Sequence, residues 1–189
     1  MAKFTALYDA RVLYPAPLRD LLVRLGGTGL FRARWTNKIH EEWIRNVLAN
    51  RSDLSRARLE RTRDLMNEHI FDSLITDYED LIPSLELPDV SDRHVLAAAI
   101  RGNADVIVTF NLKDFPASVL SQHNIEALQP DVFIEHLLVL NQNLVCATIR
   151  QQRLDSKNPP KPAEDVLKTL EEQGLKQSVA QLRPLISLL

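Results

Sequence analysis

The stretch ADVIVTFNLKDFP, residues 104–116, constrains the fold more than any other part of the chain. Val106, Ile107 and Val108 are consecutive, apolar and β-branched, so a strand built from them has no polar face to offer water. Such a strand belongs inside a parallel sheet covered by helices on both sides. It runs directly into Thr109, Asn111 and Asp114, with Pro116 closing the stretch. Asn and Asp favour turns, so an ordinary loop is one reading. In open α/β sheets ligands gather beyond the carboxyl ends of the strands, so the same residues also suit a functional edge.

The remaining segments supply partners for that strand. FTALY (4–8) reads as a short buried strand ending at Asp9, ARWT (33–36) as a second, and the start of NIEALQPDVFIEHLLVLNQ as a further one. Helical spacing marks PLRDLLVRL (17–25), with Gly26-Gly27 as its stop. It also marks NKIHEEWIRNVLAN (37–50), where Thr36 can cap and Ile39, Trp43, Val47 and Leu48 define the buried side. A long helix is expected from about Ser55 to Asp72. FDSLITDYEDLIPSL (71–85) reads as a short strand or turn and then a helix ending before Pro83. DRHVLAAAIRGN is a clear helix whose Ala97–Ala99 run permits close packing on a sheet. Short strands alternating with helices indicate an α/β fold with a parallel sheet.

Near Lys157 the character changes. DSKNPPKP (155–162) is a polar, proline-rich linker, dividing a domain of residues 1–154 from a helical tail of residues 163–189 that turns around Gly174. A tail of this size cannot bury its apolar faces alone, so it is expected to dock on the same chain or a dimer mate, away from the acids described next.

Bulk composition narrows the functional classes. A single cysteine, Cys146, excludes an intramolecular disulfide and a cysteine-rich zinc site. The N-terminus lacks a signal-peptide layout, and no uninterrupted apolar run approaches the roughly 20 residues that cross a bilayer; a cytoplasmic protein with no membrane partner is expected. The formal net charge of −2 conceals an asymmetry. Residues 32–63 hold nine Lys/Arg against four acids, and residues 64–92 hold nine acids and no Lys or Arg. Arg51, Arg56, Arg58 and Arg61 are candidate phosphate contacts within the basic run, which would otherwise be a solvated helix face.

The candidate chemistry lies in carboxylates. Asp9 follows the first strand, Glu41 and Glu42 stand beside Trp43, Asp89 and Asp92 head the Ala-rich helix, and Asp114 follows the VIV strand. Each has an ordinary reading: a helix cap for Asp89 or Asp92, a turn for Asp114, solvent-facing positions for the glutamates. In a parallel sheet, strand carboxyl ends and helix amino ends share one edge, so Asp9, Asp92 and Asp114 can converge. Carboxylates brought together raise one another's pKa, and a divalent cation removes the conflict. An oxygen-only donor set suits Mg²⁺ or Mn²⁺ rather than Zn²⁺. Helical phase leaves Glu41 and Glu42 undecided, both near the border of the buried face.

Asp9 after a first strand, then HEEW, DRHVLAAAI and VTFNLKDF, resemble in their order the PIN-domain nucleases. DARVLYPAPLRDLL and LPDVSDRHVLAAAI are similar to the VapC-type toxins of bacterial toxin–antitoxin pairs, over roughly residues 4–140. The resemblance implies a parallel sheet of about five strands flanked by helices, and an acidic cluster that holds Mg²⁺ or Mn²⁺ and hydrolyses phosphodiesters, usually of RNA. It implies Asp9, Glu42, Asp92 and Asp114 as the catalytic acids, with metal on Asp9, Asp92 and Asp114. Asp89, Glu41, Thr109 and Asn111 become supporting residues. Arg11 stands where the family often has Asn or Ser, and is placed to pair with an acid or contact phosphate. The implied protein is an endoribonuclease toxin, partnered by an antitoxin and by a second copy of itself. DNA as substrate, or a non-catalytic binding module on the same fold, are the alternatives.

Overall fold

A computed structural model describes residues 3–156 and 159–189. Its sheet is built from β1 (Thr5–Tyr8), β2 (Arg32–Arg34), β3 (Val106–Val108) and β4 (Glu126–Leu128), all parallel in the order β2-β1-β3-β4. Central β1 and β3 are wholly buried and mostly apolar, as suits strands covered on both faces. Register fixes the functional edge: Tyr8 pairs with Val108 and Val108 with Leu128, so the chain leaves all three strands at one level. The Asp9 amide still donates to the Val108 carbonyl at 3.1 Å, and the Thr109 amide to Leu128 at 2.9 Å. The expected fifth strand is reduced, among the described residues, to a bridge between Trp35 and Leu74. The chain after that bridge turns at Asp77, in the left-handed region, before it can extend the pairing.

The helices are α1 (Ala10–Leu13), α2 (Ala16–Gly27), α3 (Asn37–Asn50), α4 (Arg56–His69), α5 (Arg93–Arg101), α6 (Ala117–Leu120), α7 (Pro130–Asp155), α8 (Ala163–Glu172) and α9 (Lys176–Leu182). Thr36 caps α3 by accepting the Ile39 amide at 3.0 Å, and Ser55 caps α4 through Arg58. α2 ends at Gly27, with Gly26 in its last turn, as expected. A Cβ on Gly26 would stand 2.7 Å from that of Ala33, so the glycine serves the approach of α2 to β2. Residues Glu79–Ser84 form a 3-10 helix that includes Pro83, rather than a helix ending before it.

An aromatic cluster fills one side of the sheet. Phe31 and Phe133 meet edge to face at 5.2 Å, and Tyr8 anchors the end of β1 by donating its hydroxyl to the Leu22 carbonyl at 3.0 Å. On the α3 side, buried His40 accepts the Trp43 indole N–H through Nδ1 and faces Asn67 Oδ1 through Nε2, both at 3.0 Å. Arg19 lies over the Trp43 ring at 4.3 Å and donates to the Leu13 carbonyl, tying α1 and α2 to α3. Burial holds the His40 imidazole down at about 4.

The tail docks on its own chain, against α2 and α7. Val166, Leu167, Leu170, Val179 and Leu182 are buried there. Asp131, at the start of α7, accepts the Gln177 and Ser178 amides at 2.9 and 2.8 Å, a carboxylate at the amino end of α9. The turn between α8 and α9 needs Gly174 at φ +97°, and a Cβ there would lie 3.5 Å from Phe110. That turn therefore packs beside Phe110, which follows β3. The expected linker 155–162 includes Lys157 and Asn158, which lie outside the described residues.

At 26 residues α7 is long and apolar enough to cross a bilayer by length and composition, contrary to the expectation drawn from uninterrupted runs. Glu135, His136 and the Asn141–Asn143 segment interrupt its apolar sequence, which hid it. In this fold it is a core helix, bent at Asn141, with Phe133, Leu137, Val145 and Ile149 buried.

Candidate active site

The edge defined by the strand register gathers acids from separate stretches of chain. Asp9, immediately after β1, is 5% exposed and accepts the Thr109 hydroxyl at 2.8 Å from the end of β3. Thr109 also accepts the Asn111 amide at 3.1 Å, which bends the chain so that the Asn111 side chain donates to Asp114. Asp92 closes a 3-10 turn (Val90–Asp92) that leads into α5, and Asp89 caps that turn by accepting the Ser91 amide at 2.8 Å. The three carboxylates of Asp89, Asp92 and Asp114 each bring an oxygen within 4.8 Å of the others.

This differs from the expected trio in one respect. Asp89, expected as an accessory, belongs to the tight cluster among the described residues, whereas Asp9 lies deeper and acts on it at longer range. Asp9 is buried at the end of β1, whereas the 3-10 turn before α5 carries the exposed Asp89 alongside Asp92 and Asp114.

The electrostatics record the crowding. Burial, the Asp9 charge and a hydrogen bond with Asp114 push the Asp92 carboxyl up to about 7. Burial raises Asp9 as well, opposed by the Thr109 hydroxyl and by Arg11. Asp89 is instead held below its usual range by the Ser91 hydroxyl and amide. Arg11 is exposed and close enough to act on both Asp9 and Asp89, as its position after the first acid suggests.

The two glutamates part company. Glu41 points outward and pairs with Arg56 at 3.0 Å, so it supports α4 and not the acid pocket. Glu42 turns inward, where its charge is felt by Asp9. Its Oε1 lies 2.9 Å from Nε2 of His94, a contact at ion-pair distance but off the line of a hydrogen bond. His94 is absent from the expected set, although a histidine on the buried face of the otherwise apolar DRHVLAAAI helix was the available signal.

The basic run is partly neutralised by its own acids. Arg51 pairs with Asp53 at 2.7 Å and Arg56 with Glu41 and Glu60, while Arg58 and Arg61 are exposed and form no ion pair among the described residues. The acids form an open edge. A cleft of about 600 Å³ between α2 and α4, lined by Arg19, Met66 and His69, holds none of them.

The donor set is all oxygen and partly exposed, and burial together with neighbouring negative charge raises its Asp92 carboxyl to about 7. Those properties fit Mg²⁺ or Mn²⁺.

Comparison with known proteins agrees with this geometry. A family model described as PIN domain matches residues 5–113, more than half of the chain and the whole of the acidic edge except Asp114. A second, described as VapC50 C-terminal domain, matches residues 130–184, which span α7, α8 and α9. A Mycobacterium tuberculosis protein named "Putative ribonuclease VapC50" is 42% identical over 96 residues. The match covers 51% of this chain and 56% of that protein, so little more than half of the relative's length is represented. No solved structure matches. With its parallel sheet, its acids at the strand ends and this coverage, the chain belongs to the PIN domain family.

Proposed function

We propose that the protein is a divalent-cation-dependent endoribonuclease, the toxin of a VapC-type toxin–antitoxin pair. The observation that carries this reading is the convergence of Asp89, Asp92 and Asp114, with Asp9 behind them, at the open carboxyl edge of a PIN sheet. Asp92 and Asp114 would hold Mg²⁺ or Mn²⁺, with Asp9 and Asp89 completing the charge and Glu42 reaching the same pocket. When bound, such a cation supplies Lewis-acid polarisation of a phosphoryl oxygen and lowers the pKa of a water for in-line attack.

The chain's own residues do the rest. Thr109 and Asn111 hold Asp9 and Asp114 in place through direct hydrogen bonds. Burial and the Asp9 charge push the Asp92 carboxyl up to about 7, and a bound cation would favour its ionised form; whichever of Asp92 and Asp114 is less engaged by the cation would orient the attacking water and take its proton. Arg11 is placed beside the acids to meet a substrate phosphate. Of the four candidate phosphate contacts, Arg58 and Arg61 are best able to track a polymer, because Arg51 and Arg56 are engaged in ion pairs. An open edge suits a chain substrate better than a small molecule. The similarity to a protein named a putative ribonuclease VapC50 supports RNA as the substrate; an antitoxin, a second copy of the chain and a cytoplasmic setting complete the proposal.

The decisive experiment incubates the purified protein with single-stranded RNA and DNA in Mg²⁺ or Mn²⁺, with and without EDTA, beside an Asp92→Asn control. Cleavage of RNA that EDTA and the substitution both abolish is expected. Cleavage of DNA alone would make it a PIN deoxyribonuclease, and cleavage of neither would leave a binding module.

A further inference from the structure

Glu42 is the one acid of the pocket that comes from a helix interior, and its position is not self-supporting. The Asp9 charge repels it, and α3 and α5 approach each other at few points. Its side chain is 22% exposed, so part of the carboxylate's surroundings is already water.

What faces it from α5 is an expensive residue. His94, two positions after Asp92 on α5, is 1% exposed; Nδ1 has no partner, and Glu42 Oε1, 2.9 Å away, is the polar atom against Nε2. Leaving a buried polar group unsatisfied costs about 1–3 kcal/mol, so leucine would be the more stable occupant of this apolar helix face. Among the described residues, the Glu42 carboxylate is the polar group recorded against the imidazole, and it accounts for a histidine at this position.

We propose that His94 is a positioning residue that holds Glu42 at the acidic pocket. In the Nε2–H tautomer it presents a donor to Glu42, and a small rotation of either group aligns the hydrogen bond. It thereby ties α3 to α5, and so Glu42 to Asp92. It touches neither substrate nor cation and acts only through Glu42. The inference rests on the reading of the acid pocket as a cation site.

The test measures Mn²⁺ binding by calorimetry, and thermal unfolding without metal, for the wild type and three variants. His94→Gln places an amide nitrogen near the position of Nε2, His94→Asn falls short of it, and His94→Leu fills the volume without a donor. Partners that orient metal-site residues typically contribute about 10–100-fold to affinity. His94→Leu and His94→Asn should therefore weaken Mn²⁺ binding about tenfold, with His94→Gln close to wild type. His94→Leu should be at least as stable as wild type without metal. In a Glu42→Gln background His94→Leu should weaken binding no further. Unchanged Mn²⁺ affinity in His94→Leu would overturn the proposal. So would a loss of affinity that merely tracks a loss of metal-free stability, or one that persists undiminished in the Glu42→Gln background. A wild type that binds Mn²⁺ no better than Asp92→Asn would overturn the cation-site reading itself, and the role of His94 with it.

Discussion

Replacing Asp92 by asparagine should stabilise the metal-free protein while removing its activity. The carboxyl is raised from 3.8 to about 7 by burial, by the Asp9 charge and by the hydrogen bond with Asp114. Three units at about 1.36 kcal/mol each set a ceiling near 4 kcal/mol on the cost of ionising it in the folded state. The group is only partly covered, and solvent screening reduces that figure to about 1–2 kcal/mol. Asparagine is neutral, keeps a donor for Asp114, and gives up no cap, because Asp92 makes no side-chain capping bond to α5. The sign follows from linkage: between about pH 4 and pH 7 the folded state keeps a proton that the unfolded state has released. Wild-type stability from this group is therefore lost as pH rises through that window, and the variant escapes the loss. Urea unfolding with EDTA should give Asp92→Asn an advantage of about 1–2 kcal/mol at pH 8, or roughly 3–6 °C in Tm, and none at pH 4. Adding Mn²⁺ at pH 8 should stabilise the wild type and not the variant. A variant less stable than wild type at pH 8 without metal would refute the account of a mutually repelling cluster.

Other expectations follow from the same geometry. Asp9→Asn and Asp114→Asn should each reduce RNA cleavage at least about a hundredfold in a gel assay, while circular dichroism reports an intact fold. Reversing Arg58 and Arg61 to glutamate should weaken RNA binding and lower its salt slope by about 1.4 in a titration at several ionic strengths. His40, held at about 4, refuses a proton that the unfolded chain accepts below about pH 6.5. Its contribution should disappear as pH falls from 6.5 to 4, by up to about 3 kcal/mol, and His40→Gln should remove that slope from the urea-derived stability profile. Asp131→Ala should cost about 0.5–2 kcal/mol through loss of its bonds to α9, measured by thermal unfolding, with Mn²⁺ affinity unchanged.

Local chemistry made much of this protein legible from its sequence. The β-branched run Val106–Val108 could only be an interior strand, Thr36 announced the start of α3, and Asp9 and Asp114 were recognisable as residues that follow buried strands. These signals are short-range: side-chain shape, period and capping act within one turn or one strand. Tertiary structure decided whatever depended on neighbours from distant stretches. Glu41 and Glu42 are one helical step apart, about 100° around α3, and their different partners, Arg56 and His94, lie 15 and 52 residues onward. Gly26 and Gly27 marked the end of α2 in the sequence, but the close approach of Gly26 to Ala33 is a matter of packing that no local pattern shows. Asp89 joined the tight carboxylate cluster, and Asp9 stood back from it, only when the turn before α5 closed over the sheet edge. A residue's type and period place it on an element, but the direction of a carboxylate and the price of its charge are set by what packs against it.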